Sequence, residues 1–238
     1  MKNPNSPYPG RQLFLGLTPK SRPCMAYLVT GRSPESRERR ATPNVNTFYM
    51  GPLANAPYDA LRHYTAIKYD NATGVLAVTN GIQTEAVYEV YKLLVNVGSF
   101  RSLDYLEKVL DGADAEPDSY QTPRIAGVIV PAENKTGMKY ILGIKSAGRP
   151  ARAYEVKIAP GRLTGISTYK GDMEKPAANQ TDAVPPEIEV PALTAENLAK
   201  FVFEISAADY KGQDIRVCCI GGIFSENGNW ELYAHNAH

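Results

Sequence analysis

Ile125 to Val130, an almost unbroken β-branched run, constrains the fold of this chain more than any other stretch. Pro123 forbids a helix interior and drives Thr122 to extended backbone, so the run predicts a strand. No polar residue alternates through it, so that strand is buried on both faces and needs a packed layer on each side. Arg124 stands at its entrance. A guanidinium there stays charged and needs acceptors, either a protein carboxylate in a structural ion pair or an anionic ligand such as phosphate. Asp111, Asp114, Glu116 and Asp118 lie just upstream with no basic residue among them. A neutralising pair and an acid/base site are both open at this point.

The rest of the chain supplies partners for such a strand. Alternating apolar positions predict paired strands at Arg11 to Leu17 and Pro23 to Thr30, with Arg32 just past the second. The segment from Glu35 to Tyr58, rich in proline and asparagine, predicts an exposed loop. Leu61 to Tyr69, which carries His63, and Gly74 to Thr79 predict a hairpin around Asp70-Asn-Ala-Thr-Gly74. Thr84 is expected to cap a helix burying Val87, Val90, Tyr91 and Leu94, and Ser102 a shorter one burying Leu103, Leu106, Val109 and Leu110. Gly137 to Lys145, Ala151 to Ile158 and Arg162 to Lys170 continue as strands. Residues 171–192 predict a proline-rich, acidic, exposed excursion. Thr194 is expected to cap a third helix carrying Leu198, Phe201, Val202 and Ile205. Asp214 to Phe224 and Asn229 to Tyr233 close the chain as strands. About nine strands in hairpins, with three helices, predict an α+β fold. Two stacked, mostly antiparallel sheets flanked by helices satisfy both the doubly buried strand and the amphipathic helices, within a single domain over residues 1–238.

Several functions are excluded by what the sequence lacks. No apolar run approaches the ~20 residues a membrane span requires, and the N-terminus shows no signal-peptide core, which predicts a cytoplasmic protein. Cys24, Cys218 and Cys219 form no disulfide framework and are expected to be small core residues. His63, His235 and His238 show no metal-ligand spacing, and phosphate-loop, dinucleotide, zinc and serine-hydrolase motifs are absent, so no metal and no cofactor is expected. Net charge is only +1, which disfavours nucleic acid, yet it is unevenly spread. Residues 1–40 carry eight Lys or Arg against two acids, and Asp172 to Asp209 carries eight acids against two lysines. A small anionic ligand suits that distribution.

What remains is a set of polar residues at strand ends and turns: Arg11, Arg32, Ser33, Tyr64, Asn80, Thr84, Glu116, Tyr120 and Arg124. Each has an ordinary structural alternative as strand tyrosine, turn amide, helix cap or solvated acid. Their shared position at element ends is what singles them out.

All of these residues but Glu116 lie in the segments Tyr8-Pro-Gly-Arg11, Ala26-Tyr-Leu-Val-Thr-Gly-Arg-Ser33, Pro57-Tyr58 with Tyr64-Thr-Ala-Ile-Lys68, Thr79-Asn-Gly-Ile-Gln-Thr-Glu85, and Tyr120-Gln-Thr-Pro-Arg-Ile-Ala126. In this order they resemble the archaeal-type inosine monophosphate (IMP) cyclohydrolase family. Gln83 stands where that family often has His and Gly31 where it often has Ser, and residues are added between Arg32 and Tyr64 and at 171–192. The resemblance implies a four-layer αββα fold similar to the N-terminal nucleophile hydrolases, without their nucleophile, since residue 2 is Lys. It implies ring closure of 5-formamidoimidazole-4-carboxamide ribonucleotide (FAICAR) to IMP, a purine nucleotide ligand, and a homo-oligomer. By the same resemblance Tyr64, Glu116 and Arg32 are the catalytic residues, and Arg11, Ser33, Asn80, Thr84, Tyr120 and Arg124 bind substrate. A non-catalytic purine-nucleotide-binding or regulatory protein, and an amidohydrolase acting on a related formamide or cyclic amide, are the alternatives.

Overall fold

The computed structural model describes residues 7–53, 55–98, 102–133, 137–180 and 186–238. In chain order, β1 (Gln12–Leu17) and β2 (Pro23–Thr30) precede the single turn α1 (Pro34–Arg37), followed by β3 (Arg39–Asn44), β4 (Thr47–Pro52), β5 (Tyr64–Tyr69) and β6 (Leu76–Thr79). Helices α2 (Thr84–Asn96) and α3 (Ser102–Ala113) come next, then β7 (Arg124–Pro131), β8 (Met138–Lys145), β9 (Arg152–Glu155) and β10 (Arg162–Ser167). Short strands β11 (Tyr169–Gly171), β12 (Pro176–Ala178) and β13 (Glu187–Glu189) lead to α4 (Ala195–Ile205). The chain closes with β14 (Asp209–Tyr210), β15 (Gln213–Asp214), β16 (Arg216–Phe224) and β17 (Trp230–Asn236).

Strand β7, the apolar run behind Pro123, is an inner strand of a seven-stranded sheet ordered β3-β4-β5-β6-β7-β8-β9. A six-stranded sheet, β13-β10-β1-β2-β16-β17, stacks on it, and every pairing in both sheets is antiparallel. Side-chain alternation explains why β7 lacks a polar face. Ile125 and Ile129 point between the sheets, beside Leu13, Leu15, Tyr27 and Met50. Ala126, Val128 and Val130 point outward, under Val87, Tyr91, Leu106 and Leu110 of α2 and α3. On the far side, Leu198, Val202 and Phe203 of α4 cover Phe14, Ala26, Leu28 and Cys219 of the six-stranded sheet. The result is an α+β sandwich in which helices flank two antiparallel sheets. Each fully buried aliphatic side chain in these three interfaces contributes about 1.5–3 kcal/mol.

Four expectations are corrected. Residues expected to form a loop up to Tyr58 contain the hairpin β3–β4, joined by full antiparallel register from Arg39↔Pro52 to Asn44↔Thr47. Thr84 does not cap α2: Gln83 occupies the cap position without a side-chain cap bond. The Thr84 hydroxyl instead donates to the Thr65 carbonyl at 2.5 Å, tying the helix start to β5. His63 lies in the turn before β5, not in a strand, and its Nδ1 accepts from the Asp59 amide at 2.9 Å. The 171–192 segment does not stay wholly exposed, since Met173 and Val190 are buried and β13 adds to the edge of the six-stranded sheet beside β10. The expected Ser102 cap lies outside the described side chains. Thr194 does cap α4, accepting from the Asn197 amide at 3.2 Å.

Candidate functional site

The ends of β1, β2, β6 and β7 meet at one rim of the sandwich, where polar residues replace the apolar pattern. Asn80, just past β6, is fully buried. Its Oδ1 accepts from the Ile125 amide at 2.8 Å and its Nδ2 donates to the Pro123 carbonyl at 2.8 Å, so the side chain satisfies two backbone groups at the start of β7. Gly81 follows because a Cβ there would lie 2.2 Å from Arg124 Nη1. No larger residue leaves room for that guanidinium.

The loop between α3 and β7 carries Glu116 into this rim. Its backbone is pinned by the Glu116 amide donating to the Thr122 carbonyl at 2.8 Å and by Asp118, which accepts from the Thr122 amide at 2.8 Å and hydroxyl at 2.5 Å. Asp114 and Gln121 take positive φ values of 51° and 48°, a strain that such loops retain where geometry matters. The Glu116 carboxylate is only 3% exposed. Arg11 meets it with both terminal nitrogens, Nη1 to Oε1 at 2.9 Å and Nη2 to Oε2 at 3.0 Å. Arg124 Nη1 reaches Oε1 at 3.2 Å and Asn80 Nδ2 reaches it at 3.4 Å. Oε1 is therefore crowded, whereas Oε2 has one partner among the described residues and keeps a lone pair for a ligand.

The electrostatics follow from that sharing. Burial favours loss of the Arg11 charge, but Glu116, helped by the phenols of Tyr64 and Tyr27, outweighs it and holds Arg11 well above its ordinary value. Arg124 is lowered by burial, against Glu116 and with Arg11 as a repelling neighbour. One carboxylate thus serves two guanidiniums. Tyr64, 3% exposed, shares a 2.8 Å hydrogen bond with the fully buried Tyr27 hydroxyl. Burial, and then Tyr64 itself, hold the Tyr27 phenol well above its ordinary value, so it keeps its proton.

A cavity of about 970 Å³ opens over this rim. Of the nine residues singled out from sequence, Arg11, Arg32, Ser33, Glu116 and Tyr120 line it. Tyr64, Asn80, Thr84 and Arg124 are set behind the lining, Asn80 and Arg124 touching it through Glu116. Arg32 does not join the Glu116 cluster through a hydrogen bond. Its Nη1 donates to the Met173 carbonyl at 2.6 Å and its Nη2 to the Tyr120 hydroxyl at 2.9 Å, and its guanidinium lies 5.0 Å from the Tyr8 ring centroid and 5.3 Å from that of Tyr120. Ser33 caps α1 through the Ser36 amide. Sequence reasoning missed Tyr27, Arg37, Arg39, Arg62, Tyr169, Tyr210 and Lys211. Tyr27 carried a signal in one of the matched segments, and Arg37 and Arg39 in the basic run of residues 1–40. Among the described residues no group of three or more His, Cys, Asp or Glu is placed to hold a metal ion, and no helix is long and apolar enough to cross a membrane.

Comparison with known proteins bears on this geometry. A family described as IMP cyclohydrolase-like protein matches residues 8–228. An IMP cyclohydrolase of Methanocaldococcus jannaschii is 29% identical over 226 residues, covering 93% of this chain and 96% of that one. One from Methanococcus aeolicus is 30% identical over 218 residues, covering 89% and 93%. One from Thermococcus kodakarensis is 28% identical over 233 residues, covering 94% and 96%.

Proposed function

The chain belongs to the IMP cyclohydrolase-like family, and from that premise we infer that it is an enzyme closing FAICAR to IMP in purine synthesis. The observation that carries the reading is the match over residues 8–228, within which Arg11, Arg32, Glu116 and Tyr120 gather on one cavity.

The reaction is internal to one substrate. The carboxamide nitrogen attacks the formyl carbon, forming a carbon–nitrogen bond and converting the formyl oxygen to a hydroxyl. That oxygen then leaves as water, its two hydrogens coming from the carboxamide nitrogen and the formamido nitrogen. No redox partner enters the balance. Both reacting groups sit on neighbouring ring carbons, so holding the reactive rotamer is a large part of the task, and orientation of this kind supplies up to about 7–11 kcal/mol in ideal cases.

The residues divide that work as follows. Glu116 Oε2, the carboxylate oxygen with a free lone pair, accepts a substrate N–H and takes its proton as the nitrogen attacks, becoming the neutral acid. Arg11, held charged beside it, stabilises the developing oxyanion of the former formyl group. Tyr64, hydrogen-bonded to Tyr27 behind the lining, serves proton transfer to the departing hydroxyl through an intervening water. Arg32, flanked by Tyr8 and Tyr120, supplies a planar cationic wall against which the heterocycle stacks. Asn80, Thr84 and Arg124 act from behind, fixing Glu116 and the strand ends instead of touching the ligand. The layer order of helix, sheet, sheet and helix supports likeness to the N-terminal nucleophile hydrolases, with a polar cluster in place of their nucleophile.

The test is direct. Purified protein mixed with FAICAR should form IMP, followed by ultraviolet absorbance or chromatography. Folded protein that binds IMP and turns over no FAICAR would instead identify a nucleotide-binding protein without chemistry.

A further inference from the structure

Arg39, the first residue of β3, is 4% exposed, yet it lines the cavity. Among the described residues its side-chain hydrogen bonds go only to carbonyl oxygens, Nε to Ser36 at 3.0 Å and Nη1 to Arg62 at 3.4 Å. Among the described residues no carboxylate pairs with it. Its charge acts on the nearby Tyr27, His63 and Cys218. None supplies a negative charge. Burial and then Arg39 itself lower the His63 pKa, and burial pushes the Cys218 thiol up to about 12. Arg37 on the same wall is half-buried, with Nη1 donating to the Arg32 carbonyl at 2.6 Å and Nη2 to Gln213, and its charge, with that of Arg62, lowers the exposed Glu35 carboxylate. Arg62 is already matched by Asp59 at 2.7 Å.

A buried guanidinium without a counter-charge is costly, and the cost is relieved when an anion binds beside it. The cavity therefore has two electrically different parts. At one, Glu116 neutralises Arg11 and Arg124. At the other, buried Arg39 faces the cavity with no carboxylate paired to it among the described residues, and half-buried Arg37 stands beside it with only the exposed Glu35 carboxylate near its charge. We propose that Arg39, assisted by Arg37, anchors the 5′-phosphate of the nucleotide, and that Arg11 and Arg124 do not. A phosphate monoester offers the planar guanidinium fork two acceptor oxygens at once. The assignment rests on the cyclohydrolase reading and fixes the direction in which the nucleotide lies, phosphate toward β3 and reacting groups toward Glu116.

Titration of wild-type protein, Arg39→Met and Arg37→Met with IMP and with inosine separates phosphate recognition from base recognition. Arg39→Met should weaken IMP on the order of 30-fold or more and leave inosine within about twofold, with Arg37→Met showing a smaller change of the same selectivity. Equal loss for both ligands, or no loss for IMP, overturns the proposal. A measurement on wild-type protein alone guards against a variant that does not fold. Inorganic phosphate should raise the titration midpoint of the His63 imidazole, followed by NMR, because the anion offsets Arg39; an unmoved midpoint counts against the site. If inorganic phosphate moves His63 while IMP affinity is independent of Arg39, the site serves free phosphate and the proposal falls. Wild-type protein that turns over FAICAR with Arg39-independent IMP affinity defeats this inference only, whereas failure to bind either IMP or inosine defeats the cyclohydrolase reading with it.

Discussion

Glu116 shows how far a residue's role can be taken from sequence. Its place in an acidic stretch before a buried strand made it one candidate among four, the family resemblance implied its catalytic role, and Glu116→Gln is expected on that basis to lower turnover without large loss of stability. The structure changes the second half of that expectation. The carboxylate is buried between Arg11 and Arg124, so the neutral amide leaves two guanidiniums facing each other without a counter-charge. Glu116→Gln should therefore lower unfolding free energy by about 3–5 kcal/mol as well as turnover, measured by urea unfolding beside the FAICAR assay. An unchanged urea midpoint would show that the two arginines find other acceptors. Tyr27 was illegible for the opposite reason. A fully buried strand tyrosine looks like core in any sequence, and its place in a matched segment gives it no role until the 2.8 Å bond to Tyr64 ties it to the site.

His63 makes a second residue-scale prediction, with a definite sign. Burial, then Arg39 and Arg62, lower its folded pKa below 6.5, with Asp59 opposing. The unfolded chain therefore takes up a proton near 6.5 that the folded protein refuses. Stability is full above that value and falls as pH drops through it toward the folded pKa, where the loss levels off. His63→Asn, which keeps an acceptor for the Asp59 amide, should flatten this part of the stability profile relative to wild type between about pH 7.5 and 5. Parallel profiles for the two proteins would exclude the effect.

Elements were legible where their pattern was regular and obscure where an edge relaxes the rules. β7, α2 and α4 follow from period and composition because both their faces, or one defined stripe, are buried. The hairpin β3–β4 did not, because Pro43, Asn44 and Asn46 read as loop. β3 is an edge strand, where a residue without an N–H is tolerated. The same holds for β13, an acidic and proline-flanked segment that pairs at the opposite sheet's edge, with Glu189 near Arg162 at 3.4 Å. Thr84 was misread because its hydroxyl had a stronger local use than capping. Gly127, inside β7, is an element-scale requirement with no sequence explanation until the second sheet is in place. A Cβ there would lie 2.5 Å from Leu13 Cδ2 on β1, so the glycine sets how closely the sheets approach. Gly127→Ala should cost about 1–3 kcal/mol by overpacking, read as a lower urea midpoint with an unchanged slope. A stability equal to wild type would mean that Leu13 repacks freely.

At the scale of the whole molecule, the uneven charge of the sequence becomes a property of one cavity. Net charge is +1 for the chain, but four of the arginines in its first forty residues, Arg11, Arg32, Arg37 and Arg39, converge on the same lining. Arg62 and Lys211 bring the cations there to six, against the four carboxylates of Glu35, Asp59, Glu116 and Asp118. Sequence alone showed that the N-terminal segment is basic; the hairpins of the two sheets bring those residues to a common rim, a consequence of non-local pairing that no local pattern records. A cavity of this sign concentrates a small anion and loses that advantage when salt shortens the screening distance, about 10 Å at 0.1 M. Raising sodium chloride from about 0.02 to 0.3 M, at fixed pH, should therefore raise KM for FAICAR several-fold and leave kcat within about twofold. Inosine, which carries no phosphate, should bind with nearly the same affinity at both salt concentrations. If KM is flat while inosine binding responds to salt, the cationic wall does not recognise the nucleotide's charge, and the cavity's excess of arginine serves the fold alone.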